Sequence, residues 1–157
     1  MLFRSTYYGG EKSFTTSIVV ALPTVTLASA SSITATTALS GGNVTSNGGA
    51  SVTARGVTWN TVGYPTIDGN HTTNGTGIGS FTSSLTGLSP GTTYYVRTYA
   101  TNSVGTAYSS QISFATSPTT PTVTVANVSS ITDTTASSGG TVTSNGGASV
   151  KIGRAHV

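Results

Sequence analysis

Apolar and polar positions alternate along this chain in short runs, which are separated by glycine, asparagine, serine and proline. The runs recur roughly every 8 to 12 residues and are rich in threonine and valine, which favour pleated strands. No stretch of useful length carries an apolar stripe at helical spacing. The pattern therefore predicts an all-β sandwich of short antiparallel strands.

The turns between the runs locate the strands. Residues 46–49 form the clearest turn, because asparagine and glycine accept positive φ angles. In the next run the apolar residues change parity, and Gly56 at the change predicts a β-bulge that returns Val57 and Trp59 to the core. The predicted strands cover residues 24–28, 36–45, 50–60, 78–85 and 106–116, with inward-facing positions at Tyr94, Val96, Thr98 and Ala100 in a further strand.

The chain also repeats itself. Residues 23–52 return as residues 121–150 with 24 of 30 positions identical and a constant offset of 98 residues. A second match pairs residues 5–17 with residues 105–117. The spacing is that of a whole small domain, rather than of a solenoid turn. We therefore predict a tandem array: the C-terminal strand of a preceding repeat at 1–17, a complete domain at 18–118, and the N-terminal strands of a following repeat at 119–150.

The last seven residues break the repeat. In the 98-residue register, positions 151–157 should resemble TARGVTW at 53–59, but they read KIGRAHV. One reading frame of a common sequencing adapter encodes IGRAHV, and an interrupted threonine codon would read as lysine. We therefore interpret residues 151–157 as an adapter artefact, and a genuine divergent terminus is the alternative.

Composition removes several classes of function. Charged residues make up 6% of the chain, cysteine is absent, and the formal net charge is +3. If Lys151 and Arg154 belong to the artefact, four basic and three acidic residues leave a charge of +1. Without a basic cluster we predict no nucleic-acid partner, and without an apolar run of about 18 residues we predict no membrane span in this segment.

Candidate catalytic chemistry is sparse. Asp68 and His71 lie close together in a loop rich in glycine and asparagine, where a solvated turn is the expected role. Metal binding needs several carboxylates or imidazoles in one place, and the glycine-rich turns lack a phosphate-binding lysine. We therefore predict no enzyme, no cofactor and no metal site.

One segment carries a family pattern. Residues 88–102, LSPGTTYYVRTYATN, contain L-x-P-x-T-x-Y-x-V at Leu88, Pro90, Thr92, Tyr94 and Val96. This pattern resembles fibronectin type III domains, an immunoglobulin-like β-sandwich family. The resemblance implies a tyrosine corner, in which the Tyr94 hydroxyl returns to the backbone of the preceding turn.

The likeness extends over nearly all of residues 18–150. The segments RGVTW at 55–59, GIGSFTSSLTGL at 77–88 and ATNSVGTAY at 100–108 are similar to tandem fibronectin-III-like repeats of secreted proteins from Bacteroidetes-type bacteria. A tryptophan is missing from the second strand, so the region of Leu39 is expected to fill the core there. The Arg-Gly-Asp tripeptide is also missing, so integrin-type binding is not implied.

Two sets of surface residues are candidate sites. Tyr95, Arg97 and Tyr99 are predicted to face outward, either as a strip that binds glycans or a partner, or as a cross-strand ladder, which we favour. Glycosylation acceptors follow the Asn-x-Ser/Thr pattern, and Thr134 resembles a bacterial O-glycan acceptor. The asparagine candidates are Asn43, Asn70, Asn74 and Asn127.

A row of similar domains joined by proline-containing linkers predicts an extended rod. We therefore expect a non-enzymatic extracellular or cell-surface structural protein, a stalk or fibre whose partners are copies of itself or adjacent repeats. Successive units are joined either covalently or by strand complementation, with residues 5–17 of one subunit completing residues 121–150 of another. The alternative is an adhesin, or a carbohydrate-binding or spacer module of a larger secreted protein.

Overall fold

The computed structural model describes residues 9–10, 17 and 19–151. The predicted strand at 1–17 and the predicted artefact at 151–157 lie outside the described residues, apart from Gly9, Gly10, Ser17 and Lys151. Within the described part the regular structure is entirely β-strand. The strands are β1 (Thr24–Ser31), β2 (Ala38–Ser46), β3 (Ala54–Asn60), β4 (Asn70–His71), β5 (Gly79–Leu85), β6 (Thr93–Thr101), β7 (Thr106–Tyr108), β8 (Ile112–Ala115), β9 (Thr122–Val125) and β10 (Gly140–Ser144).

The first eight strands form two antiparallel sheets that pack face to face. One sheet has the order β1-β2-β5, and the other has β4-β3-β6, with β7 and β8 both paired to the far side of β6. A hydrogen bond crosses between the sheets, because the buried Thr98 hydroxyl of β6 donates to the Gly41 carbonyl of β2 at 2.9 Å. The predicted all-β, immunoglobulin-like sandwich is therefore confirmed.

Alternate residues of the two sheets supply the core. Val57 of β3, Leu85 of β5 and Val96 of β6 have no measurable exposure, and Tyr94 stacks on Phe114 with 6.0 Å between ring centroids. Strand β2 contributes small residues, and its Leu39 is 37% exposed whereas Ala38 is 1% exposed. In the region of Leu39, which was expected to fill the core, the alternation of the strand turns Ala38, Ser40 and Val44 inward, and Leu39 itself faces away from the core.

The predicted bulge at Gly56 is also wrong. Strand β3 pairs with β6 in unbroken register from Ala54–Thr101 to Asn60–Tyr95. No bulge is needed to explain the change in alternation, because Val52 lies in the loop before β3 and is buried there. Gly56 is required for space: an added Cβ would lie 2.8 Å from both the Thr72 carbonyl carbon and the Tyr99 ring.

An irregularity occurs instead in the last strand, which was predicted to be continuous over 106–116. Tyr108 pairs with Tyr99, but Ile112 pairs with Val96, so the chain between Tyr108 and Ile112 contains one more residue than the stretch of β6 that it faces. Ser109 occupies the break, where its backbone N–H donates to the Thr98 carbonyl and its hydroxyl accepts from the Thr98 N–H. The serine side chain thus replaces a carbonyl in the ladder.

Strands β9 and β10 form a separate hairpin that matches β1 and β2 at the 98-residue offset. Val123 pairs with Val142 as Val25 pairs with Val44, and both hairpins have an irregularity at the same end. The turns after the second strands also match, since φ is +68° at Gly48 and +65° at Gly146. Nearly identical sequences have therefore folded into the same local geometry.

The two hairpins differ in what covers them. Val44 is 1% exposed, whereas its counterpart Val142 is 38% exposed, and Ile131 is 71% exposed where Ile33 is half-buried. In the first hairpin the inward face lies against the second sheet of the sandwich. The same apolar face of β9–β10 is exposed to solvent.

Candidate functional site

The turn before β6 and the first residues of that strand form a tightly bonded corner. The Ser89 backbone N–H donates to the Tyr94 hydroxyl at 2.9 Å, so this buried side chain spans back to the turn. The Thr92 hydroxyl donates to the Pro90 carbonyl at 3.0 Å, and Leu88 is buried beneath them. The corner fixes the turn that carries Pro90 and Gly91 at one end of the sandwich.

The predicted outward strip is largely covered. Tyr99 lies on the outer side of its sheet but is 2% exposed, so its role in an accessible binding strip is wrong. The segment that follows β4 crosses over it, and the Tyr99 hydroxyl donates to the Thr72 carbonyl at 2.8 Å. The missing side chain at Gly56 leaves room for this crossing.

Tyr95 and Arg97 are half-buried on the outer side of β6. The Arg97 guanidinium carbon lies 4.6 Å above the centre of the Tyr108 ring, and its Nε donates to the Ser109 carbonyl at 2.9 Å. This is a cation–π contact between neighbouring strands, and it occupies the guanidinium group within the sheet.

Asp68 lies in an exposed loop and His71 in the short strand β4, and both side chains make local contacts. The Thr66 hydroxyl donates to the Asp68 carboxylate at 3.1 Å, and the His71 Nδ1 lies 2.9 Å from the Gly69 carbonyl. The His71 ring meets Tyr99 edge-on. In the described part of the chain these two side chains are not joined by a hydrogen bond, and no group of three metal-ligating residues is present.

The asparagine candidates differ in access. Asn70 and Asn127 are exposed, as is Thr134, while Asn43 is half-buried in β2. Asn74 is half-buried and its side-chain amide is engaged: Nδ2 donates to the Thr82 carbonyl at 2.8 Å, and Oδ1 accepts from the hydroxyl of Thr72. A glycan on Nδ2 would replace one of the two hydrogens of this engaged amide and would need space at a half-buried position.

Two features were not predicted from the sequence. An open groove of about 290 Å³ lies between β1 and β8, lined by Val25, Thr26, Leu27, Ser109, Ser110 and Ile112. At the end of the sandwich where β1 begins, the buried Asn102 side chain donates to the carbonyls of Ala21 and Asn47 at 2.6 and 2.9 Å. Both depend on segments distant in sequence, so a local pattern carries no signal for them.

None of the described residues belongs to a helix with the length and hydrophobicity needed to cross a membrane.

Several solved structures resemble the described chain, although no family model and no curated protein sequence matches it. The sensor domain of the anti-sigma factor RsgI4 of Pseudobacteroides cellulosolvens is 21% identical, with 62% of this chain and 97% of that domain covered and a TM-score of 0.46. The sixth domain of human fibronectin type III domain containing protein 3 is 29% identical, with coverages of 69% and 93% and a TM-score of 0.40. Titin domains A168–A170 are 18% identical, with coverages of 63% and 32% and a TM-score of 0.45.

The fold is an all-β, immunoglobulin-like sandwich. Its two sheets, β1-β2-β5 and β4-β3-β6 with β7 and β8, have the strand arrangement of that sandwich. We refer to residues 19–118 as the complete module and to residues 119–150 as the second hairpin segment.

Proposed function

We propose that this chain is part of a non-enzymatic extracellular stalk or fibre built from repeated fibronectin type III-like modules. The observation that carries the proposal is the β9–β10 hairpin, which has the sequence, register and turn geometry of β1–β2 but leaves the equivalent apolar residues exposed. In the complete module, the corresponding residues of the first hairpin are buried or half-buried and pack in the core. A following module would cover them in the same way.

The apolar face of the second hairpin specifies what should cover it. In the complete module, Val44 packs with Val52 and Ala100, and Phe81 packs against the same cluster. These residues come from the β3, β5 and β6 regions, so the covering layer is expected to have the sequence character of residues 50–116. An isolated two-stranded hairpin is marginally stable in water, which is a further reason to expect such a layer.

The pairing of the last strands favours covalent continuity between modules. Residues 5–17 resemble residues 105–117, which include β7 and β8. Both of these strands pair with β6, whereas β9 and β10 correspond to β1 and β2. A strand donated by residues 5–17 would therefore pair with an equivalent of β6. The second hairpin supplies only equivalents of β1 and β2, so it offers no such partner.

The molecular mass of the native material under denaturing conditions tests the proposal. A tandem array predicts one large polypeptide, with a mass far above the 15.6 kDa of this chain. A ladder of short subunits would favour assembly by strand complementation. A single short polypeptide that stays monomeric in native solution, with no filaments by electron microscopy, would contradict both versions.

Glycosylation would hydrate a surface that has few charges. Asn70, Asn127 and Thr134 are the accessible candidates, and Asn43 is less accessible. Glycopeptide mass spectrometry of native material is expected to find glycans among the exposed positions, with Asn74 unmodified. A glycan on Asn74 alone would contradict this assignment, because its amide is held inside the fold.

An adhesin or carbohydrate-binding module is the alternative function. Tyr95 and Arg97 are the partly exposed members of the predicted strip. Because Arg97 is already bonded to Ser109 and stacked on Tyr108, we expect a glycan array probed with the complete module to show no binding. Binding that is abolished by Arg97→Ala, with the fold intact, would favour the alternative.

A further inference from the structure

The complete module and the second hairpin segment meet through two turns that have no room for side chains. Gly91, in the turn before β6, has φ +58°, and an added Cβ would lie 2.6 Å from the carbonyl carbon of Gly147 and 2.7 Å from its Cα. The reverse also holds, since a Cβ on Gly147 would lie 2.6 Å from the carbonyl carbon of Pro90. Backbone therefore packs directly on backbone.

The linker is held at the same place. The Gly91 N–H donates to the Ser117 carbonyl at 3.2 Å, and the Thr119 N–H donates to the Gly146 carbonyl at 2.7 Å. Gly146 is buried although most of its neighbours are exposed, and a Cβ there would lie 2.7 Å from the carbonyl carbon of Thr119. The linker is thus hydrogen-bonded both to the complete module, through Gly91, and to the second hairpin segment, through Gly146.

The beginning of the complete module has the same linker contact. The Ala21 N–H donates to the Gly48 carbonyl at 2.7 Å, which matches the bond between Thr119 and Gly146 at the 98-residue offset. Gly49 and Gly147 also match, with φ of +84° and +82°. The complete module therefore carries a glycine turn at one end, and the Pro90–Gly91 turn that receives such a turn at the other.

We propose that these two turns form a head-to-tail docking surface, in which the Pro90–Gly91 turn of one module receives the Asn-Gly-Gly turn of the next copy. The partner is a second copy of the same module. Because the contact is between backbone atoms, with no flexible side chain between them, it fixes the angle between neighbours. This inference adds a joint geometry to the proposed stalk or fibre. For junctions other than the one between Gly91 and Gly147, it rests on that proposed function.

Distance measurements between spin labels test the joint in the chain itself. The chain has no cysteine, so labels can be placed at Ser84→Cys on β5 and Thr141→Cys on β10, both exposed strand positions. Double electron–electron resonance is expected to give a single narrow distance distribution for the parent chain. A broad parent distribution would overturn the fixed joint.

The glycines provide test variants with matched controls. Gly91→Ala and Gly147→Ala are each expected to broaden or shift the distribution by introducing a Cβ into the contact. Gly87→Ala and Gly75→Ala are the controls, because these glycines also have positive φ, +69° and +85°, but nothing lies within 4 Å of the added Cβ. The controls carry the same kind of backbone strain and are expected to keep the parent distribution.

The outcomes separate the joint from the array. If Gly91→Ala and Gly147→Ala both keep the narrow parent distribution, the docking surface is overturned. Gly147 lies outside the complete module, so its variant remains informative even where Gly91→Ala weakens the module. A short native polypeptide would contradict the proposed array, but the spin-label distance distribution of this chain could still be narrow. The two measurements therefore test the array and the joint separately.

Discussion

At the scale of single residues, glycine and tyrosine decide how closely the outer segment packs on the sheet. Gly56 lets the segment after β4 approach β3, and the Tyr99 hydroxyl then reaches the Thr72 carbonyl. Tyr94 makes the equivalent bond at the corner before β6, with Ser89 as donor. Two tyrosines on adjacent stretches of the same strand thus serve opposite faces, and both are buried.

We expect Gly56→Ala to lower the free energy of unfolding by about 1 to 3 kcal/mol, because the new methyl group overpacks against Thr72 and Tyr99. Urea denaturation measures the change. Gly69→Ala is the control: its nearest atom would be 3.8 Å away, so that variant is expected to be neutral or slightly stabilising. Equal losses in both variants would contradict the packing argument.

Tyr94→Phe is expected to lower the free energy of unfolding by about 1 kcal/mol, since it leaves the Ser89 N–H without its acceptor. Tyr64→Phe makes the same chemical change at a side chain that is 75% exposed, and is expected to have no effect. Thermal unfolding of the two variants is compared with that of the parent. A Tyr94→Phe midpoint equal to that of Tyr64→Phe would show that the corner bond adds nothing.

At the scale of elements, an arginine organises the connection between β4 and β5. The Arg55 side chain of β3 donates from Nη1 to the Ile78 and Gly79 carbonyls at 2.8 and 3.1 Å, and from Nε to the Asn74 carbonyl at 3.3 Å. Its guanidinium carbon also lies 5.2 Å from the centre of the Phe81 ring. The Arg55 guanidinium therefore holds this glycine-rich connection in place by donating hydrogen bonds to its backbone carbonyls.

Arg55→Lys is expected to loosen this connection, because an ammonium group cannot supply the spread donors of a guanidinium. Hydrogen exchange should speed up at the Asn74 N–H, which donates to the Arg55 carbonyl, and at the Gly77 N–H, which donates to the Val52 carbonyl. Amides in the middle of β6 serve as the internal reference and should keep their protection. Unchanged exchange at both loop amides would rule out the clamp.

At the scale of the whole molecule, one sequence occurs in two environments. Val44 and Val142 occupy equivalent places in hairpins of the same register, but the first is enclosed by a second sheet and the second is not. The difference is one of tertiary context, since their local sequences are nearly identical. The hairpin geometry therefore forms without a covering sheet, whereas burial of this valine requires one.

Val44→Ala is expected to reduce the free energy of unfolding by about 2 kcal/mol, through lost burial and the cavity that remains. Val142→Ala should leave the unfolding of the complete module unchanged. If residues 53–116 are appended after Val150, a second cooperative transition should appear, and Val142→Ala should then destabilise it. Calorimetry measures both transitions, and an extended chain with a single unaltered transition would argue against a following module.

Much of the architecture was predictable from the sequence, because alternation, turn chemistry and the 98-residue repeat are local or self-referential signals. They predicted an all-β sandwich, the turn at 46–49 and the inward residues of β6. The return of Tyr94 to the preceding turn was implied by the resemblance to fibronectin type III domains, not by these signals. What they did not predict is burial by segments remote in sequence: Tyr99 faces outward yet is covered by the segment at Thr72.

The sequence by itself determined most of the strands, their periodicity and the repeated hairpin, because backbone geometry follows largely from neighbouring residues. Only the tertiary structure decided why Gly56 is a glycine, where the last strand breaks, and that Gly91 and Gly147 meet across the junction. Each of these depends on the distance between segments far apart in the chain. Such distances are set by the packing of the two sheets and the linker, which no local pattern encodes.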